Sequence, residues 1–172
     1  EHLETLVLAR RNNYVDYTQN LFEGYETRLN IGTFTFPISE QVRNDTRLKL
    51  AEPVLVVEIG TEAIAYPLAM LGNTATNDVV GGTKVVVLAL EDGPSGAAYR
   101  AQLEDETPLD LVYDPDIKNW RDKATGSIVD LSGSIISGPL QGQHLLPLSS
   151  RYMFWFAAAA TIPNAQVYQP AS

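Results

Sequence analysis

The chain has 172 residues, a formal net charge of −9 from 21 acidic and 12 basic residues, and no cysteine. The missing cysteines exclude disulfides, thiolate metal sites and cysteine nucleophiles, and the acidity argues against duplex nucleic acid as a partner, because that affinity comes from lysine and arginine at phosphates. A hydrophobic content of 45% is typical of a folded domain, and the longest apolar run is about half of a bilayer span. We therefore expect one folded unit that does not span a membrane.

The first fifty residues are predicted to form a helical and extended arm. Apolar residues recur at helical spacing between Leu3 and Leu21, where neither glycine nor proline interrupts the pattern. The alternating stretch from Ile31 to Phe36 ends at a proline and predicts a strand. The polar stretch from Ser39 to Leu50 predicts a solvated loop or a short helix. The arm either packs on the chain's own sheet or docks on another subunit, and its candidate contact residues are Leu3, Leu6, Tyr14, Phe22, Tyr25, Phe34 and Phe36.

Three strands are predicted in the most apolar part of the chain. The β-branched run from Val54 to Ile59 is followed by Gly60 and by an alternating stretch from Glu62 to Tyr66. Gly60 can adopt the positive φ that a tight antiparallel connection requires, so we predict a hairpin. A polar loop over residues 72–82 and a third strand over residues 84–90 complete this region, where the core is expected to form.

The rest of the chain predicts short strands, followed by one helix. The strands are expected within residues 97–103, 109–113, 117–121, 128–131 and 134–136, with acidic turns between some of them. These acidic turns lack the spacing of a calcium-binding loop, and His144 has no second ligand at metal-binding spacing. Ser149 is predicted to cap a helix from Arg151 to Thr161, whose aromatic face would need cover from the sheet and from a partner. Its candidate contact residues are Tyr152, Phe154, Trp155 and Phe156.

The predicted fold class is therefore mainly β (α+β). A single antiparallel-rich β domain over residues 51–172 would carry the arm of residues 1–50 at its N-terminus and an aromatic helix near its C-terminus.

Two motifs in the central region resemble a known family. The string Val-Glu-Ile-Gly-Thr-Glu-Ala-Ile-Ala-Tyr-Pro-Leu ends at Leu68, and Asn-Asp-Val-Val-Gly-Gly ends at Gly82. Together they are similar to the bacterial, mostly exported domain-of-unknown-function 3179 family. The turns over residues 123–127 and 137–142 resemble two further motifs of that family. The resemblance covers about residues 53–168 and leaves the first fifty outside. It implies an extracytoplasmic chain, periplasmic or at the cell surface, whose signal sequence is already removed.

The chain departs from the family pattern at every reactive or ligating position. Asn73 and Thr74 stand where the family has His-Glu, and Leu90 and Gly93 stand where it has the two cysteines of Cys-Pro-x-Cys. With Asp78, we interpret these as vestigial site positions. The resemblance then implies a scaffold that has lost its site, without enzymatic activity, metal or cofactor.

Two functions remain open from the sequence. The first is a structural or interaction subunit of a larger extracytoplasmic assembly, with other protein subunits as partners and no nucleic acid. If the chain is held at a membrane, those partners would hold it there. The second is a module that binds a small ligand or a hard cation in a crevice beside residues 73–78.

Overall fold

The computed structural model describes residues 24–34, 37–92 and 95–170. The predicted helix from Leu3 to Leu21 lies outside these residues, as do the candidate positions Leu3, Leu6, Tyr14, Phe22, Phe36 and Gly93. No helix in the described ranges is long and apolar enough to cross a membrane. The helices are α1 (Tyr25–Asn30), α2 (Glu40–Arg43), α3 (Leu68–Leu71) and α4 (Trp155–Thr161).

The described chain has far more strand than helix, and its strands form three sheets, which confirms the mainly β prediction. The first sheet contains β1 (Pro53–Ile59), β2 (Glu62–Pro67), β10 (Ser150–Phe154) and β11 (Gln166–Val167), in the order β10-β1-β2-β11. The central sheet contains β3 (Thr74–Val80), β4 (Thr83–Leu90) and β5 (Ser95–Arg100), in that order. The third sheet follows chain order and contains β6 (Leu111–Asp114), β7 (Asn119–Asp122), β8 (Ile128–Val129) and β9 (Ile135–Ser137). Within these sheets all strand pairs are antiparallel except β11 with β2.

The sheets and helices stack in layers, with the central sheet between the other two. One face of β1, with Val54 and Val56, packs against α4 and Val42 of α2. The other face of β1, with Leu55 and Val57, packs against the central sheet. The opposite face of the central sheet packs against the third sheet around Trp120, which is fully buried. A strand covered on both faces needs apolar residues at every position, which explains the continuous buried run from Val85 to Ala89 in β4.

The predicted central hairpin is confirmed. β1 and β2 pair in antiparallel register from Val54 with Pro67 to Ile59 with Glu62, and Gly60 has φ +62°. The third predicted strand is also present, as β4.

Three predictions of local structure are wrong. Ile31 and Gly32 form a turn after α1, so the described part of the predicted strand from Ile31 to Phe36 is not a strand. Residues 74–80 of the predicted polar loop form β3, which pairs with β4. Residues 150–154 form β10 instead of the first turns of a helix, since they pair with β1 along its free edge, and α4 begins only at Trp155.

Candidate functional site

The two central family motifs are joined by hydrogen bonds between β2 and the β3–β4 hairpin. The buried Tyr66 donates its hydroxyl hydrogen bond to Oδ2 of Asp78, with the oxygens 2.9 Å apart. Glu62, at the start of β2, accepts a hydrogen bond of 2.8 Å from the backbone N–H of Gly81. Sequence reasoning treated Asp78 as a vestigial site position. In the structure its carboxylate helps to hold the first sheet on the central sheet.

The turn between β3 and β4 requires glycine for two reasons. Gly81 and Gly82 both have positive φ, +53° and +74°, which is the geometry of a type I′ hairpin turn. A Cβ on Gly81 would lie 2.6 Å from the backbone oxygen of Ile59, whereas a Cβ on Gly82 would meet nothing within 4 Å. The Gly-Gly pair therefore sets both the turn and its close approach to β1.

Burial and the Asp78 carboxylate both raise the pKa values of two tyrosines near Asp78, Tyr66 and Tyr168. Burial and, next, the hydrogen bond to Asp78 raise the pKa of Tyr66 far above its ordinary value. Tyr168 packs on Tyr66 with ring centroids 5.2 Å apart, and burial followed by the charge of Asp78 raises the pKa of Tyr168 as well. Both phenols therefore stay protonated at neutral pH and act as hydrogen-bonding and packing groups.

The turns over residues 123–127 and 137–142, which resemble two further family motifs, are also joined by a hydrogen bond. Asp122, which is 1% exposed, accepts hydrogen bonds from the backbone N–H groups of Asp110 and Thr125 and from the hydroxyl of Thr125. Ser127 is fully buried and its Oγ accepts a hydrogen bond of 3.1 Å from the backbone N–H of Leu140. These contacts hold the two turns together beside the third sheet.

The other described vestigial positions meet at one end of the central sheet. Thr74 pairs with Ala89 in the β3–β4 register, which places Asn73 beside Leu90. The Oδ1 atom of Asn73 accepts a hydrogen bond of 3.0 Å from the backbone N–H of Glu91, and the backbone oxygen of Thr74 accepts one of 2.7 Å from the Trp120 indole. This end of the sheet therefore holds an amide, a hydroxyl and an apolar side chain.

Asp78 lies apart from these positions. It is four residues beyond Thr74 along β3, which corresponds to roughly 13 Å at the rise of a strand. The structure thus brings together Asn73, Thr74 and Leu90 and leaves Asp78 at the opposite end of the sheet.

Two concave regions lie at the Asp78 end of the central sheet. The first, which we call the cationic pocket, has a volume of about 310 Å³ and is lined by Gly82, Thr83, Lys84, Arg100 and Gln102. The second, the apolar crevice, has a volume of about 370 Å³, and its apolar lining comes from Val79, Val85, Ala101, Pro108 and Leu109. Asn77 and Asp78 also line the crevice, and Lys84 lines both regions.

Sequence reasoning missed Lys84, Arg100 and Leu109 as site residues. Val85 of β4 pairs with Arg100 of β5, so the side chains of Lys84 and Arg100 leave opposite faces of the central sheet. The signal in the sequence was weak: a lysine two residues after a Gly-Gly turn and an arginine at the end of the next strand.

The aromatic contact candidates fall into three groups. Tyr25 and Phe34 pack on the C-terminal aromatic residues: Tyr25 lies 6.3 Å from Phe154, and Phe34 lies 5.9 Å from Phe156, between ring centroids. Trp155 is fully buried in the core beneath α4. Tyr152 is 55% exposed on β10. Of the described candidates, Tyr152 therefore offers the largest accessible apolar surface.

No metal centre is evident in the part of the chain that the structure describes, because no three histidine, aspartate or glutamate side chains lie close enough to hold an ion. His144 is exposed, and its residue forms an isolated backbone bridge with Ser134.

The comparisons with known proteins found one family. The family described as "Protein of unknown function (DUF3179)" matches residues 1–165. No curated protein and no solved structure matches the chain. The match begins at residue 1, so the expectation that the first fifty residues lie outside the family is wrong. Because the match covers almost the whole length, the chain belongs to the DUF3179 family of proteins of unknown function.

Proposed function

We propose that the chain is a non-catalytic interaction subunit of a larger extracytoplasmic protein assembly. The observation that carries the proposal is the end of the central sheet where Asn73, Thr74 and Leu90 meet. The side chain of Asn73 accepts a hydrogen bond from the backbone N–H of Glu91, and the backbone oxygen of Thr74 accepts one from the Trp120 indole. A scaffold that keeps the family's structural motifs but offers these inert groups is better suited to binding than to catalysis.

The surface of β10 is the contact region that we favour. Among the residues that the structure describes, β10 is the edge strand of the first sheet, because there it pairs with β1 alone. Tyr152 on this strand is 55% exposed, and a tyrosine offers a large contact area at little entropic cost, which is why it is enriched in interfaces. The location outside the cytoplasm rests on the mostly exported family that the motifs resemble.

The mass of the native particle tests this proposal. We expect a tagged chain, gently extracted from its source, to elute in a particle of fixed composition well above 18.9 kDa, the mass of the chain alone. Tyr152→Ser should release the chain from the particle, while Val112→Ser, at another exposed residue, which is 44% accessible on the third sheet, should leave it bound. A chain that elutes near its own mass, with no co-purifying protein, would refute the proposal.

A second candidate function is the binding of a small ligand, which the apolar crevice beside Asn77 and Asp78 favours. The volumes of the crevice and of the cationic pocket lie at the lower end of the range of small-molecule sites, about 300–1,000 Å³. Hard cations are less well supported than organic ligands, because the described carboxylates form no cluster of three.

A further inference from the structure

The outer edge of β10 carries backbone groups that no described residue pairs with. The N–H of Trp155 donates a hydrogen bond of 2.8 Å to the backbone oxygen of Glu52, which fixes how the hydrogen bonds alternate along the β1–β10 pair. Arg151 therefore bonds to β1, whereas Ser150 and Tyr152 direct their N–H and C=O groups away from it. The edge is open at these two residues in the part of the chain that the structure describes.

The edges at β3, β5 and β9 of the other two sheets are closed or capped by the chain itself. Residues 146–148 exchange backbone hydrogen bonds with β5, and residues 142–143 do the same with β9. On β3, the outward N–H of Val79 donates a hydrogen bond of 2.7 Å to Oδ1 of Asp78. Proteins usually close such edges because an open edge pairs with other strands. The open edge of β10 therefore indicates a strand that is added from outside.

The side chains of β10 leave this edge without net charge. Arg151 forms an ion pair with Glu58, and both lie on the face of the first sheet that carries Val56. Tyr152 leaves the opposite face and is 55% exposed. Aromatic rings pair favourably with aromatic and β-branched residues on a neighbouring strand. The edge therefore fits an extended segment that is uncharged beside Tyr152 and carries such a residue there.

A single segment fits this edge better than a second copy of the chain. Helix α1 lies at one end of β10, where Tyr25 is 6.3 Å from Phe154 between ring centroids. Two copies paired antiparallel about Tyr152 would place Phe154 of each opposite Ser150 of the other, and the α1 helices would crowd both ends of the contact. One extended segment needs only the spacing of a neighbouring strand, about 4.8 Å.

We propose that a partner subunit binds β10 by strand addition. An extended segment of the partner pairs its backbone with Ser150 and Tyr152 and becomes a fifth strand of the first sheet. This inference rests on the assembly proposed above and specifies its contact. Because main-chain hydrogen bonds supply the affinity in this mode of binding, the backbone of Ser150 is needed as well as the side chain of Tyr152.

Proline at position 150 tests the backbone contact. Ser150→Pro removes an N–H that points away from β1, and an edge strand tolerates proline at such a position. We expect the fraction of tagged chain that elutes in the native particle to fall about tenfold or more, because a hydrogen bond is lost and the ring crowds the added strand. Ser150→Ala is the matched control, since it keeps the N–H, and it should be retained like the native chain. Circular dichroism of the isolated variants checks that both fold.

Amide hydrogen exchange tests the same contact without a substitution, so the proposal stays testable if Ser150→Pro fails to fold. In the isolated full chain, the N–H groups of Ser150 and Tyr152 should exchange quickly, and those of Arg151 and Met153 slowly, because the latter bond to β1. In the particle, exchange at Ser150 and Tyr152 should slow about tenfold or more. Mass spectrometry with residue-level fragmentation measures both states.

Each contrary result has a distinct meaning. Equal retention of Ser150→Pro and Ser150→Ala, without slower exchange at Tyr152 in the particle, would refute strand addition and leave the proposed assembly standing. Slow exchange of Tyr152 already in the isolated chain would mean that the chain's own residues fill the edge, which also refutes the inference. A particle of two copies alone would replace the partner segment with a second copy. No particle above the mass of the chain would refute the proposed function and this inference with it.

Discussion

Arg47 connects the segment before β1 to the C-terminal part of the chain. Its guanidinium bonds to the carboxylate of Asp45 and donates a hydrogen bond of 2.8 Å from Nη1 to the backbone oxygen of Ala165. The same group lies 4.7 Å from the centroid of a Trp155 ring. A planar group with several donors can make all three contacts together, whereas a lysine ammonium cannot.

We therefore expect Arg47→Lys to lower the free energy of unfolding by about 1–2 kcal/mol, because bidentate bonding and stacking are lost while the charge remains. Urea denaturation followed by circular dichroism measures this change. Arg28→Lys is the matched control, since Arg28 is exposed and forms no ion pair within the described ranges. Equal losses in the two variants would contradict the role assigned to Arg47.

The ion pair also predicts how stability depends on pH. The hydrogen bond from Arg47 is the main cause that lowers the pKa of Asp45 below its ordinary value of 3.8. A carboxyl group with a lowered folded-state pKa contributes stability above its unfolded-state pKa and loses that contribution as the pH falls through the folded-state pKa. The difference in unfolding free energy between the native chain and Asp45→Asn should therefore be constant above about pH 5 and shrink below about pH 4. A difference that stays constant down to pH 2 would show that the charge of Asp45 contributes nothing.

At the scale of elements, the sequence predicted those strands whose residues carry their own signal. β1, β2 and β4 are runs of β-branched or alternating residues with glycine or proline at their ends. β3 was missed because Thr-Ala-Thr-Asn-Asp is polar, and it becomes a strand by pairing with the strongly predicted β4. β10 was missed because its aromatic residues suit a helix as well as a strand. It forms a strand because it pairs with β1, almost a hundred residues earlier in the chain.

The β3–β4 turn gives a test at this scale. Gly81→Ala should destabilise the chain by about 3 kcal/mol or more, because its Cβ would meet the Ile59 backbone oxygen in addition to the cost of a positive φ. Gly82→Ala carries only the conformational cost and should lose about 1 kcal/mol. Thermal and urea unfolding of both variants gives the comparison. Similar losses would mean that the close approach to Ile59 is relieved by a small shift of the hairpin.

Comparison of the sequence with the family pattern predicted one part of the candidate site and missed the other. The pattern singled out Asn73, Thr74 and Leu90, and the structure brings these positions together at one sheet end. It gave no sign of Lys84 and Arg100, because which residues line a concave region depends on which strands pair and in which register. Cross-strand proximity is set by the whole sheet and cannot be deduced from any single segment.

At the scale of the whole molecule, residues 37–50 are part of the core and not only an arm. Val42 is 3% exposed and belongs to the cluster under α4, with Ile38, Leu48 and Leu50 packed against it. The backbone oxygen of Leu50 accepts a hydrogen bond of 3.0 Å from Phe156 in the first turn of α4. Removal of this segment would take Val42 from the cluster that covers Val54 and Val56 and leave that N–H without its partner.

The fragment of residues 51–172 should therefore fail to fold cooperatively, although the sequence suggests it as a separate domain. Each buried aliphatic side chain contributes about 1.5–3 kcal/mol, so the loss of several approaches the whole stability of a domain, about 5–15 kcal/mol. Near-UV circular dichroism and urea unfolding compare the fragment with the full chain, and Val42→Ala in the full chain is the control, with an expected loss of about 2 kcal/mol and a transition that stays cooperative. A fragment with a sharp urea transition and native near-UV signal would restore the boundary at residue 51. It would also mean that α4 covers Val54 and Val56 sufficiently without Val42, which would make residues 37–50, rather than β10, the surface to probe for a partner subunit.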